Sequence, residues 1–130
     1  MKYLVDTDRV VDYLKGKDDA VTDLQRFQKE GIGISLISYG EIYEGIYFGS
    51  QPGKQELGFK RFLSGVEVVR LDRQVMRRFA RLRGKLRTDG MLISDPDLLI
   101  GATALEHDLT LVTGNLEHFK RIPGLRHRKE

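Results

Sequence analysis

The chain has no cysteine, which removes disulfides and thiolate zinc sites from consideration. Its three histidines, His107, His118 and His127, are dispersed and make no metal-ligand spacing. Long apolar runs are missing as well. The start, Met1-Lys2-Tyr3-Leu4-Val5-Asp6, is far too short an apolar stretch for a signal peptide or a membrane span. A soluble cytoplasmic protein is therefore expected. There is no linker, repeat or low-complexity segment, so the 130 residues read as one domain, 1–130. A chain of this size buries roughly two-thirds of the surface its unfolded form exposes, enough for a sheet covered by helices. The net charge is only +3, but the basic residues are unevenly placed.

What the sequence does hold is clearest at 93–115. Asp95 suits a helix cap and Pro96 its first position. Leu98, Leu99, Ala102 and Leu105 recur at helical spacing. Residues 109–112 are short and apolar, as in a parallel strand covered on both faces. Asp97 falls in the first turn of that helix and Asn115 just past the strand. In a parallel sheet both positions open toward one edge, where strand ends meet helix starts.

The rest of the chain repeats that alternation. Residues 3–5 read as a central strand ending at Asp6, followed by a short helix with Val10, Val11 and Leu14. A second helix spans about 18–30 and Gly31 stops it; 32–35 is a second strand. Ser38 and Glu41 have capping-box spacing and are expected to open a third helix, closed by the turn Gln51-Pro52-Gly53. A fourth helix carries Leu57, Phe59, Phe62 and Leu63; a third strand spans 66–71; a long helix starts at Asp72. After a helical turn within 115–122, Leu125 suggests an edge strand, and 126–129 reads as a solvated basic end. Strands alternating with helices imply parallel βαβ units and an α/β layered fold.

Taken singly, each acid of the expected edge has a structural explanation. Asp6 and Asp8 lie where a helix begins, Glu41 closes a capping box, and Asp97 complements a helix dipole. The combination is harder to dismiss, because Asp6, Glu41, Asp97 and Asn115 all follow strand ends or open helices on one side. Two carboxylates about 4 Å apart repel by roughly 1 kcal/mol in water and about 4 kcal/mol at an effective dielectric of 20. Three in one cleft call for a cation. Hard oxygen donors without cysteine or clustered histidine point to Mg²⁺ or Mn²⁺ rather than zinc.

The same residues carry a resemblance. The segments Leu4-Val5-Asp6-Thr7-Asp8, Ser38-Tyr39-Gly40-Glu41-Ile42, 97–107, 109–115 and 118–125 resemble, in order and over nearly the whole chain, a PIN-domain ribonuclease of the VapC toxin type. The resemblance implies a three-layer α/β/α fold with a mostly parallel sheet of four to five strands. It implies Asp6, Glu41 and Asp97 as metal-binding acids, Asn115 in the place of a fourth acid, and Thr7 and Thr113 as supporting groups. It further implies Mg²⁺- or Mn²⁺-dependent hydrolysis of RNA to a 5′-phosphate and a 3′-hydroxyl, an antitoxin partner and a homodimer. There are departures from the family's pattern. Asn115 replaces a common Asp, Gly101 stands where Ala is usual, Gly114 where a basic residue is usual, and His118 where many members have Asp. Asp8 often appears as Asn in the family. Asp95 is an extra acid, read here as the helix cap.

Two further features bear on partners. Arg73, Arg77, Arg81 and Lys85 repeat at i, i+4, opposite a stripe of Val75, Phe79, Leu82 and Leu86. Like charges at that spacing cost a helix a few tenths of a kcal/mol per pair, which suggests a polyanion such as RNA; a solvated face is the plain alternative. The third helix has an apolar arc, with Tyr39, Ile42, Tyr43, Ile46, Tyr47 and Phe48, too wide for one core-facing stripe, so a protein interface or burial between layers is expected.

Two other functions compete. The run from Val5 to Val10 also fits the Asp-x-Asp-x-Val pattern of haloacid-dehalogenase-type phosphohydrolases, with Asp6 as nucleophile, Asp8 as acid, and Asp95 and Asp97 supplying magnesium acids. A module that binds RNA or protein without cutting is the non-enzymatic alternative.

Overall fold

The computed structural model describes residues 1–129. Five strands form one wholly parallel sheet in the order β3-β2-β1-β4-β5. They are β1 (Tyr3–Val5), β2 (Ile32–Ser35), β3 (Val66–Val69), β4 (Thr110–Val112) and β5 (His127–Arg128). The helices are α1 (Thr7–Leu14), α2 (Asp18–Gln28), α3 (Leu36–Tyr47), α4 (Pro52–Leu63), α5 (Arg73–Thr88), α6 (Asp95–Glu106) and α7 (Leu116–Phe119).

Side-chain alternation along such short strands divides the core in two. Tyr3, Val5, Ile32, Ile34, Val66 and Val112 face the layer of α1 to α4, where they meet Val10, Leu24, Ile42, Ile46, Phe59 and Phe62. Leu4, Val69 and Leu111 face the opposite way, against Val75, Leu82, Leu86, Leu98, Ala102 and Phe119 of α5 to α7. The expected three-layer α/β/α arrangement is therefore present.

Several boundaries differ from expectation. Helix α3 starts three residues earlier than the Ser38–Glu41 pattern suggests. Ser35 is its N-cap, its hydroxyl accepting from the Ser38 amide at 3.1 Å, so Ser38 lies inside the first turn and Glu41 closes no capping box. Pro52 opens α4 rather than ending α3, as suits a residue with no amide proton to lose. Asp95 is not the cap of α6: Ser94 takes that place and accepts from the Asp97 amide at 3.4 Å. The last strand falls at His127–Arg128, while Leu125 is a buried core residue. The basic end is tied down: Arg126 pairs with Asp108 at 2.9 Å, and the Arg128 guanidinium sits over the Phe27 ring at 4.9 Å.

Chain direction matters most between β1 and β4. From β1 the chain steps outward through β2 to β3, then returns to the other side of β1. In parallel sheets the crevice at such a reversal, outside the carboxyl ends of the strands, is where ligands bind. Asp6 directly follows β1 and Thr113 directly follows β4, so both stand at that crevice. Among the described residues no helix is long and apolar enough to cross a membrane.

Candidate active site

Asp6 is the innermost acid. Its residue is 4% exposed, and its carboxylate is held from two sides. The buried Thr113 hydroxyl donates to Oδ2 at 2.7 Å, and the Thr7 amide donates to Oδ1 at 2.8 Å, where Asp6 serves as N-cap of α1. Burial pushes Asp6 up to about 6; those two hydrogen bonds pull the other way, and the negative charges of Asp8 and Asp97 add to the rise. Among the described residues no lysine or arginine forms an ion pair with Asp6, Glu41 or Asp97.

Glu41 reaches the same crevice through Thr7. The Thr7 hydroxyl lies 2.7 Å from Glu41 Oε1 and 2.8 Å from the buried Ser38 Oγ. A hydroxyl has one proton. With Thr7 donating to the carboxylate, the Ser38 hydroxyl donates to Thr7. Ser38, read from sequence as a cap, is instead a link in this chain. Its spacing to Glu41 hid that role.

Asp97 stands on the other side, in the first turn of α6. Its Oδ2 lies 3.2 Å from His118 Nδ1, and that nitrogen is also 2.9 Å from Asn115 Nδ2. The Asn115 amide donates to the Thr113 hydroxyl at 2.9 Å, so Thr113 connects Asp6 to the Asn115 loop. Gly101 of α6 leaves room for the tip of Ile122, three residues beyond α7, where a Cβ would meet the Ile122 Cδ1. The Gly that departs from the usual Ala is thus filled by a neighbour's methyl.

The structure brings together Asp6, Thr7, Glu41, Asp97, Thr113 and Asn115, and adds Ser38 and His118. Among the described residues, no three acidic or histidine side chains converge tightly enough to hold an ion as they stand. The donor chemistry nevertheless fits a hard divalent ion. Mg²⁺ keeps several waters and is commonly bound through one or two carboxylates plus substrate phosphates. A buried carboxylate facing other acids with no basic partner is the setting such an ion neutralises.

The arginine-rich helix lies apart from this chemistry. Arg73, Arg77, Arg81 and Lys85 are all exposed, opposite buried Val75, Leu82 and Leu86. Lys85 pairs with Asp89 at 3.3 Å, while Arg73, Arg77 and Arg81 have no acidic partner among the described residues. Two other arginines of α5, outside the i, i+4 row, reach α6 instead: Arg78 pairs with Glu106 and Arg83 with Asp95, each at 2.8 Å. Asp95, freed from capping, anchors Arg83 two residues before Asp97.

Comparison with known proteins agrees with this geometry. The PIN domain family matches residues 3–125. Ribonuclease VapC2 of Rickettsia felis is 32% identical over 127 residues, covering 96% of this chain and 95% of that protein. Ribonuclease VapC1 of Methanocaldococcus jannaschii is 33% identical over 121 residues, covering 93% and 81%. Among solved structures, VapBC2 from Rickettsia felis bound to a promoter DNA fragment superposes with a TM-score of 0.91 at 30% identity, covering 98% of each chain. The dehalogenase-like alternative is set aside by this match, and the Asp8 it requires is exposed on α1. An acid-lined crevice at the sheet's reversal point, with sequence similarity along nearly the full length, makes this chain a member of the PIN-domain family, in its VapC ribonuclease branch.

Proposed function

We propose that the chain is the toxin of a toxin–antitoxin pair, an endoribonuclease that hydrolyses RNA phosphodiester bonds with Mg²⁺ or Mn²⁺. The observation that carries this is Asp6, buried at the β1–β4 crevice with the negative charges of Asp8 and Asp97 acting on it and, among the described residues, no ion pair to a lysine or arginine. Asp6, Glu41 and Asp97 are the acids proposed to hold the ion. When bound, the ion supplies a nucleophile from water at neutral pH and positive charge against the scissile phosphate. Thr113 and Thr7 keep the Asp6 carboxylate oriented. Thr7 and Ser38 do the same for Glu41, and Asn115 and His118 border Asp97. The exposed Arg73, Arg77, Arg81 and Lys85 of α5 are proposed to track the RNA backbone, where phosphate neutralisation gives affinity without sequence choice.

A groove supports the antitoxin reading. A space of about 730 Å³ runs between α1, α3 and α4. Val11, Leu14, Ile42, Ile46 and Leu57 line it with apolar surface, Lys15, Lys54 and Arg61 supply positive charge, and Glu41 lines it as well. This suits an apolar segment with acidic residues, and its occupant would reach the proposed metal site. A homodimer, implied by the same resemblance, is tested by the mass of the purified chain in solution.

The deciding experiment is cleavage of RNA by the purified chain with Mg²⁺ or Mn²⁺, with a chelator, and with Asp97→Ala. Cleavage is expected only for the wild type with metal; chelator-insensitive cutting would falsify the metal mechanism. Replacing Arg77 and Arg81 by Gln should weaken RNA binding and reduce the slope of log K against log salt by about 1 per lost phosphate contact. An unchanged slope removes α5 from the RNA path.

A further inference from the structure

The chain from His118 to Ile122 lies along one face of α6. His118 Nδ1 is 3.2 Å from Asp97 Oδ2, and the tip of Ile122 fills the space beside Gly101, about one helical turn further on. Arg121 turns back from this segment toward the start of α6. Its Nη1 donates to the Leu92 carbonyl at 3.4 Å. Leu92 lies two residues before Ser94, the N-cap whose hydroxyl accepts from the Asp97 amide. The guanidinium is therefore held near the same end of α6 as the Asp97 carboxylate, at the rim of the crevice.

The group that holds it is neutral. Other basic side chains that reach α6 or end α7 give their charge to an acid: Arg78 to Glu106, Arg83 to Asp95 and Lys120 to Glu117. Arg121 enters no ion pair among the described residues. A carbonyl occupies one N–H of the guanidinium and leaves its charge uncompensated. Arg121 is half-buried and tied at one corner, so less freedom is lost when the remaining donors find a partner. Such a fork matches a phosphate through two parallel hydrogen bonds. The acids beside it give that fork a task. Asp6, Glu41 and Asp97 repel the phosphates of a strand laid across them, and a cation just outside the acids offsets that repulsion for the phosphate next in line.

Building on the ribonuclease reading above, we infer that Arg121 is a substrate-positioning residue: it binds a backbone phosphate of the RNA flanking the scissile bond, on the α6 and α7 side of the crevice. Phosphate contacts fix register without reading bases. Arg121 thereby sets which bond of the strand is presented to Asp6, Glu41 and Asp97. The exposed arginine row of α5 offers affinity along the strand, whereas Arg121, tied to Leu92 beside the start of α6, offers alignment.

The test measures kcat/KM for an RNA oligonucleotide containing one bond that the full-length wild-type chain cuts, located by mapping its cleavage products. The flanking phosphates are replaced one at a time by uncharged methylphosphonate. In the wild type, neutralising one of them is expected to lower kcat/KM by about tenfold or more. In Arg121→Gln, that same replacement is expected to have no further effect, while the cost of the other replacements stays as it was. Arg121→Lys, which keeps the charge without the fork, is expected to retain part of the dependence. Each comparison is a ratio within one variant, so a loss of folded protein cancels. The inference is overturned if every replacement costs Arg121→Gln what it costs the wild type; Arg121 then only straps the segment before α6 to the chain after α7. If the wild-type chain cuts no RNA with Mg²⁺ or Mn²⁺, the ribonuclease reading fails, and this inference with it.

Discussion

The two sides of the crevice are built differently. On the α1 and α3 side, Asp6 and Glu41 are tied by hydroxyls, Thr113 to Asp6 and Ser38 to Thr7 to Glu41, with contacts of 2.7 to 2.8 Å. On the α6 and α7 side, the Asp97 carboxylate meets the His118 ring at 3.2 Å, the ring in turn meets the Asn115 side-chain amide at 2.9 Å, and His118 is nearly half open to solvent. The first side is preorganised by the buried Thr113 and Ser38 and the half-buried Thr7, although Glu41 itself is exposed. The second depends on how α7 seats against α6. Fixed oxygen donors on one side and an adjustable set on the other suit a site that must admit a bulky polyanion and still hold its charges in place.

The strongest way to test the rigid side is Asp6→Asn. RNA cleavage should fall by at least about a hundredfold, since the innermost proposed metal oxygen is lost. Stability should move the other way. The folded chain holds the Asp6 proton more tightly than the unfolded chain, with a value near 6 against an ordinary 3.8. The stability this proton confers is present below the ordinary value and is lost as pH rises through about 6. In chelator at pH 8, the variant should therefore be more stable than wild type by about 3 kcal/mol. The gain should vanish below about pH 4. Equal stability at both pH values would mean that burial does not strain Asp6.

Thr113→Val examines the connection between the two sides. It preserves shape but strips both the donor to Asp6 and the acceptor for the Asn115 amide, so unfolding free energy should fall by about 1 to 3 kcal/mol. A loss confined to activity, with denaturant midpoints unchanged, would argue that the two sides are not joined there. Gly101→Ala probes the adjustable side. The new methyl collides with Ile122, a penalty of about 1 to 3 kcal/mol offset by about 1 kcal/mol of better helix propensity. A small net loss is expected, and combined with Ile122→Val, which removes the colliding methyl, the loss should be smaller than the sum of the two single losses. Strict additivity would show that the segment after α7 is not positioned by this contact.

Much of this architecture was readable from the order of residues. Short apolar runs ending in polar residues revealed β1, β2 and β4, which are buried on both faces over most of their length, and β3 was legible from its valines despite the exposed Glu67 between them. The acids at strand ends were legible for the same reason: Asp6 directly follows buried Val5, so its place in the crevice follows from connectivity. Caps were misread where two polar residues competed. Ser35 and Ser38, and Ser94 and Asp95, are each chemically able to cap a helix, and the selection is made by packing of the turn that follows. Arg9 was passed over altogether. It is 5% exposed and reaches Asp23 at 3.1 Å, joining α1 to α2, a pairing that depends on how two helices cross and has no signature in spacing. The closeness of His118 to Asp97 was hidden likewise, since it arises only when α7 folds back over α6.

Glu41 belongs to two surfaces at once, the crevice where it meets Thr7 and the groove between α1, α3 and α4. If the groove seats the inhibitor and Glu41 holds the ion, as proposed, a substitution that loosened the one would also remove an acid from the other. Escape from restraint and loss of potency would then be coupled in a single side chain, closing one evolutionary route by which such a nuclease could become uncontrolled.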